Sequence, residues 1–210
     1  ASKLNIPVVL LSASHTHSAP AFIPYGSNPV KDPVGDGYLA ELEQKVFGAI
    51  REASQAMFPA RLSVARGSLQ IGYNRLLMRD DGRARALFDN LERVPYGPVD
   101  PEFILLRVDD STGTSKALLV HYATHAVVLG PTSCKYSADY PGVMQRTVEQ
   151  QMNGTQVMFV QGGAGDVNPL FMGRSGKEDE DFKVMQKMGE LLAAEVVRAN
   201  KTAAPVPGTV

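Results

Sequence analysis

One cysteine, Cys134, occurs in the 210 residues. That excludes an internal disulfide and a thiolate zinc site of the zinc-finger kind, and leaves the compartment open. An excess of charge of one sign is missing too: 21 Lys and Arg balance 22 Asp and Glu, for a net charge of −1. Bulk electrostatic attraction to nucleic acid or an anionic membrane is therefore excluded, although a small basic pocket is not. No apolar run reaches the ~18 residues of a membrane span, and no signal peptide is visible. Neither a Gly-x-Ser-x-Gly nucleophile elbow nor a Gly-x-x-x-x-Gly-Lys phosphate loop occurs. The histidines number four, with none between His17 and His121.

What is present reads as part of a globular enzyme. Hydrophobic residues make up 44% and charged residues 20%, near the globular average. The 19 Gly and 14 Pro imply many turns. Both ends read as cut from something longer. The chain enters within a few residues on the apolar run Ile6 to Ser12, and closes on Ala203-Ala-Pro-Val-Pro-Gly-Thr-Val210, a linker into a further strand. The length suits one large domain or two small ones, and both ends are expected to be truncated.

Pattern places the elements. Ile6 to Ala13 is a short Val- and Leu-rich run, expected as a buried strand. Ala19 to Gly37, dense in Pro, Gly, Ser and Asn, is expected as a long loop. Tyr38 to Met57 repeats apolar residues at three and four, a helix with Asp36 as its cap. Leu62 to Gly72 alternates as a strand or hairpin arm, and residues 79 to 101 are turn-rich. Phe103 to Val108 and Ala117 to Tyr122 are paired strands around the turn Asp109 to Gly113. Tyr140 to Met152 is a helix with Asp139 at its cap and Pro141 in its first turn. Gln156 to Gln161 is a short buried strand, and Asp179 to Asn200 is the clearest helix. The sum is an α/β fold, a mixed β-sheet flanked by helices, in an incomplete single domain.

The chemistry concentrates in histidine. Ser14-His-Thr-His-Ser18 follows the first apolar run. In extended backbone His15 and His17 share a face, with Cα atoms roughly 6–7 Å apart. Such a pair can converge on one metal, or one ring can bind it while the other moves protons. His121 and His125 lie roughly 13 Å apart if both are on a strand, too far for one metal. His125, beside the Gly130-Pro131 turn, is the candidate ligand, and His121 the structural residue. A zinc site that works on water takes about three protein ligands and an open position. His17 or His121 completes it, or the remaining ligands lie outside the chain. Arg75 follows a strand and could offer its fork of donors to a carbonyl or oxyanion. Asp139 and Asp166 sit in turns, with a cap and an Asx turn as their plain alternatives. Cys134 has no histidine near it in sequence.

Five segments in order then resemble the neutral and alkaline, non-lysosomal ceramidases. They are Leu11-Ser-Ala-Ser-His-Thr-His-Ser-Ala-Pro20, Tyr73-Asn-Arg75, Tyr122-Ala-Thr-His125, Ser137-Ala-Asp-Tyr-Pro-Gly142 and Gly165-Asp-Val-Asn-Pro169. The resemblance implies Zn2+ held by His15 and His125, with the other ligands, a Glu and a Tyr, far downstream. It implies that His17 contacts the substrate amide and assists proton transfer, and that Arg75 holds or polarises the substrate. The implied reaction is hydrolysis of a lipid amide, ceramide or a related N-acyl compound, by metal-activated water. It releases a fatty acid and a sphingoid base or amine, with contact to a membrane surface only through the substrate. By the same resemblance the protein is secreted, periplasmic or extracellular. The isolated chain, with its metal site incomplete, is expected to be inactive. The departures are Ala19 in place of the family's Gly, and Leu76-Leu77-Met78 after the Asn-Arg pair. Both sit where substrate would be selected. Other His-x-His metal hydrolases, of the amidohydrolase and phosphoesterase types, need further histidines and carboxylates at the ends of later strands, and the absence of any histidine between His17 and His121 counts against them. A non-catalytic relative of the same scaffold is the remaining alternative.

Overall fold

The computed structural model describes residues 6, 9–20, 33–131 and 133–207. The chain divides into two compact units, one of Ala1–Leu11 with Ala19–Pro59 and one of Ser12–Ser18 with Ala60–Val210.

Within the first unit the element described is helix α1, Pro33–Gln55. It starts five residues before the expected Tyr38, so Asp36 lies inside it rather than capping it. Pro33 suits a first position because its fixed φ is helical and its missing N–H has no intrahelical partner there. Glu41 and Lys45 pair at 2.6 Å one turn apart. Leu39, Leu42 and Phe47 stay partly exposed. Most of the expected loop, residues 21–32, lies outside the described residues.

The second unit is built on a five-stranded sheet. Its strands are β1 (Ala60–Ser68), β5 (Glu102–Asp110), β6 (Ser115–Tyr122), β7 (Gln156–Gln161) and β9 (Ala204–Pro205), in the spatial order β7-β6-β5-β1-β9. Three of the four pairings are antiparallel, and β6 with β7 is parallel. A parallel neighbour needs a crossover. Helix α2 (Asp139–Gln151) lies between β6 and β7 in the chain and packs on β7. Helix α3 (Glu178–Asn200) packs on α2, β1 and β5. The mixed α/β sheet is as expected, while β9 falls inside the C-terminal segment that was expected as a linker.

Alternation along the strands decides which face the helices cover. Phe103 and Leu105 on β5, Leu118, Val120 and Tyr122 on β6, and Val157 and Phe159 on β7 are buried. They share one cluster with Met144 and Val148 of α2 and Met188, Leu192 and Val196 of α3. Each side chain so buried contributes roughly 1.5–3 kcal/mol. The two helices approach closely at Gly189, where a Cβ would stand 2.4 Å from Val143 Cβ. The β5–β6 hairpin turns on Asp110, whose carboxylate accepts from Thr112 N at 2.9 Å and Thr114 N at 3.0 Å.

Smaller pieces stand beside the sheet. β2 (Gly72–Asn74) pairs with β8 (Val167–Pro169), and β3 (Leu76–Met78) pairs with β4 (Ala84–Ala86). The turn-rich reading of residues 79 to 101 overlooked β4, because three-residue strands have too few positions to show a period. The buried strand expected at Ile6 to Ala13 is a larger correction. No strand is formed there among the described residues, and Leu10 and Leu11 are 90% and 78% exposed. A strand is a pairing, and an apolar run without a neighbour to take its N–H and C=O groups has no ladder to join.

Candidate metal centre

Two segments of the second unit bring three histidines together. Chain leaving β6 carries His125, which lies three residues past the strand rather than on it. Its N–H donates to Val167 O at 3.0 Å, and its Nδ1 lies 3.2 Å from the same carbonyl. A carbonyl only accepts, so Nδ1 carries the proton and Nε2 keeps its lone pair for a metal. The ring is buried, 4% exposed.

His15 and His17 reach the same place from an exposed segment. The strand that was to present them on one face is not formed among the described residues. His15 instead holds φ at 59°, a left-handed conformation that costs a non-glycine residue on the order of 1–3 kcal/mol and that gathers at functional sites. His17 N donates to Ala126 O at 3.4 Å. The His15 ring centroid stands 5.1 Å from that of His17 and 4.6 Å from that of His125, and His17 stands 5.7 Å from His125. One ligand nitrogen from each of the three lies within 4.8 Å of the others, the sole such grouping of potential ligands among the described residues.

His121 is not in the cluster. Its Nδ1 is buried with no hydrogen-bond partner among the described residues. Of the two candidates for a third histidine, the fold therefore brings in His17. Burial, then His15 and then Arg75, hold the His17 pKa below its ordinary value. Burial, His15 and Arg75 likewise lower His125, against the Val167 and Ala164 carbonyls, which raise it. Both shifts favour the neutral ring, the form that binds zinc.

Arg75 lies beside these rings. Its N–H donates to Asp166 O at 2.8 Å. Its Nη2 donates to Gly165 O at 2.8 Å and its Nη1 to Asn168 Oδ1 at 3.2 Å. The guanidinium stacks on Phe88, 5.3 Å from the ring centroid. With His17, Phe88, Asn168 and Arg174 it lines a cavity of about 600 Å³. Gly72 lets β2 pack closely on the residues beside His125 and on β8: a Cβ there would stand 2.7 Å from both Thr124 Oγ1 and Val167 Cγ1.

The other candidates take structural positions. The Asp166 carboxylate accepts from Asn74 Nδ2 at 2.8 Å. Cys134 is exposed and lies outside the cluster. Asp139 is not the helix cap expected of it: Ala138 occupies that position and makes no capping bond. Its carboxylate accepts from Val128 N and Leu129 N, well back in the chain, as well as from Tyr140 N. Reasoning on sequence missed Asn168, although it sits inside the Gly165 to Pro169 segment. It also missed Phe88 and Arg174, which lie in turns with no pattern to mark them.

The chain is similar to known proteins in sequence and in fold. The sequence profile described as neutral/alkaline non-lysosomal ceramidase, N-terminal, matches residues 4–190. The chain is 27% identical over 208 residues to neutral ceramidase A of Dictyostelium discoideum, covering 87% of this chain and 27% of that protein. It is 27% identical over 193 residues to neutral ceramidase B of the same organism, covering 83% and 26%. The crystal structure of neutral ceramidase from Pseudomonas aeruginosa superimposes with a TM-score of 0.62 at 20% identity, covering 82% of this chain and 27% of that one. A structure described as ceramidase complexed with C2 gives 0.63 at 21%, covering 94% and 31%. The chain thus spans about a quarter of the length of the curated relatives it matches.

Proposed function

This chain belongs to the neutral/alkaline non-lysosomal ceramidase family, and from that premise we propose that it is the histidine-bearing part of a zinc-dependent hydrolase of ceramide or a related N-acyl lipid. The observation that carries the reading is the convergence of His15, His17 and His125 within 4.8 Å, with Arg75 beside them. The donor set suits zinc: neutral imidazoles, one with its tautomer set by a backbone carbonyl. In this reading His15 and His125 hold the ion, and further ligands come from chain beyond these residues. Zinc bound there would supply Lewis acidity and an activated water.

The chain's own residues have distinct work. Hydrolysis places OH on the amide carbonyl carbon, giving a fatty acid, and H on the nitrogen, giving the sphingoid base or amine. His17, kept neutral, takes a proton from water at a ring nitrogen and returns one to the leaving nitrogen. Arg75 keeps N–H donors beyond the two bound to Asn168 and Gly165, and these face charge developing on the carbonyl oxygen. Phe88 and Asn168 keep the guanidinium from swinging away. On the same reading the protein works outside the cytosol, secreted or periplasmic.

Zinc content by elemental analysis tests the proposal, on the unsubstituted protein and on His15→Ala and His125→Ala. Zinc is expected near one equivalent in the first and lost from both variants. Zinc retained in both would remove these residues from the site. Assayed on a short-chain ceramide, the 210-residue chain alone is expected to show no turnover above background. Robust turnover would mean the described residues already complete the centre.

A further inference from the structure

The histidines come from two segments far apart in sequence, and something must set the distance between them. The entry to α2 touches both. On one side Thr16 Oγ1 donates to Ser137 O at 2.7 Å, and Ser137 N donates to Ser18 O at 2.8 Å. These bonds bracket His17 and adjoin His15. On the other side the Asp139 carboxylate accepts from Val128 N at 3.2 Å and Leu129 N at 3.0 Å. Tyr140 OH donates to Thr124 O at 2.7 Å. These bonds bracket His125. Within the entry, Asp139 N donates to Ser137 Oγ at 2.9 Å, so the two sides are joined through three residues.

A helix cap does not account for this. A capping carboxylate satisfies the first amides of its own helix, yet two of the three amides on Asp139 belong to the segment after His125. Asp139 and Tyr140 are 1% and 0% exposed. Asp139 also holds φ at 55°, a conformation that costs a residue with a Cβ and persists only where the surroundings over-determine it. Arg174 completes the grip from the opposite direction, donating to Val128 O at 2.9 Å and Val127 O at 3.3 Å. Backbone N–H groups after His125 therefore end on the buried Asp139 carboxyl group, and the C=O groups on the Arg174 guanidinium.

We infer that Ser137, Asp139 and Tyr140 form the positioning group of the histidine cluster, fixing the His15–His17 segment against the His125 segment before any metal arrives. The inference rests on reading the cluster as a metal centre, but its geometric content can be measured without metal. Partners that orient ligands are typically worth about 10–100-fold in metal affinity.

The test uses Thr16→Val, which removes a half-buried hydroxyl at constant shape, and Tyr140→Phe, which removes one buried hydroxyl. Asp139→Asn is the stronger variant but carries a risk to folding. Two quantities are read on each: nuclear Overhauser contacts between the His15 and His125 rings in the metal-free chain, and Co2+ affinity with its visible absorption spectrum. Weakened ring contacts, affinity lower by about tenfold and an altered Co2+ spectrum in folded Thr16→Val and Tyr140→Phe support the inference. Unchanged contacts and affinity within twofold, in both variants, overturn it. Val196→Ala, a core change remote from the site, is the control. Equal losses in that variant at matched melting temperature would make the effect general loosening and would also overturn the inference. If the full-length protein shows the ring contacts but no Co2+ binding, the metal reading fails, and the ring contacts of the variants in the metal-free protein still decide the positioning role.

Discussion

The two sources of histidine differ in how they are held. His125 follows a strand paired on both sides, is 4% exposed, and donates from two of its nitrogens to Val167 O. His15 and His17 are exposed and belong to no strand, and their segment, residues 15–18, is held by a few bonds to Ser137 and Ala126. One histidine is thus supplied by the packed sheet and the other two by a surface segment. A site built this way is ordered from one side inward. Metal binding would add most order to the exposed half, because a site not fully formed beforehand draws on the binding energy to form.

Truncating each half separately gives the largest expected effects. His125→Ala and His15→Ala should each weaken Zn2+ binding by more than about 100-fold, the upper end for mere outer partners. Their stabilities should part. His125→Ala leaves Val167 O without its ring donor and opens a buried space, for a loss of about 1–3 kcal/mol. His15→Ala should stay within about 0.5 kcal/mol, as exposed substitutions do. Calorimetric zinc titration and urea unfolding of the metal-free proteins read the two effects. Equal stability losses would erase the distinction between the halves.

Gly72→Ala presses on the packed half alone. The added Cβ meets Thr124 Oγ1 and Val167 Cγ1 at 2.7 Å, directly behind His125. Overpacking of this kind costs about 1–3 kcal/mol. The loss should appear as a lower urea midpoint, together with weaker zinc binding. Gly48→Ala in α1, where a Cβ meets nothing within 4 Å, should instead gain about 0.5–1 kcal/mol. A neutral Gly72→Ala would mean that the wall behind His125 yields easily.

The same division explains what was legible in the sequence. The β5–β6 hairpin, β7, α2 and α3 were readable, because their periods reflect burial against one another within the chain. His125 was separable from His121 by spacing, even though it proved to lie past the strand end. The exposed half was readable by residue type and not by conformation. His-Thr-His announced chemistry, but the strand inferred before it depended on neighbours that these residues do not supply. The convergence comes instead from a left-handed His15, which no pattern of hydrophobicity encodes. Asp139 was visible as a helix-start residue, and a cap is the local use of such a carboxylate. Its bonds to Val128 and Leu129 are tertiary, as are those of Arg174, so neither leaves a trace in spacing.

Acidification gives the smallest effect and divides the halves most finely. Burial, His15 and Arg75 lower the pKa of His17 and of His125. An unfolded histidine titrates near its ordinary value of about 6.5. Between the lowered folded value and about 6.5 the unfolded chain binds more protons, so stability rises with pH across that window. It is fully present above about pH 6.5 and declines as pH falls below it. His17 is the more exposed ring, and solvent screens its share. Most of the decline should therefore belong to His125. Urea midpoints of the metal-free chain, followed from about pH 7.5 to about pH 5, should fall on acidification. They should fall less in His125→Ala and nearly as much in His17→Ala. Stability that rose on acidification would mean the rings are held charged, and a charged ring has no lone pair for zinc. Zinc affinity should fall more steeply over the same range, because protons and metal compete for the same nitrogens in both halves at once.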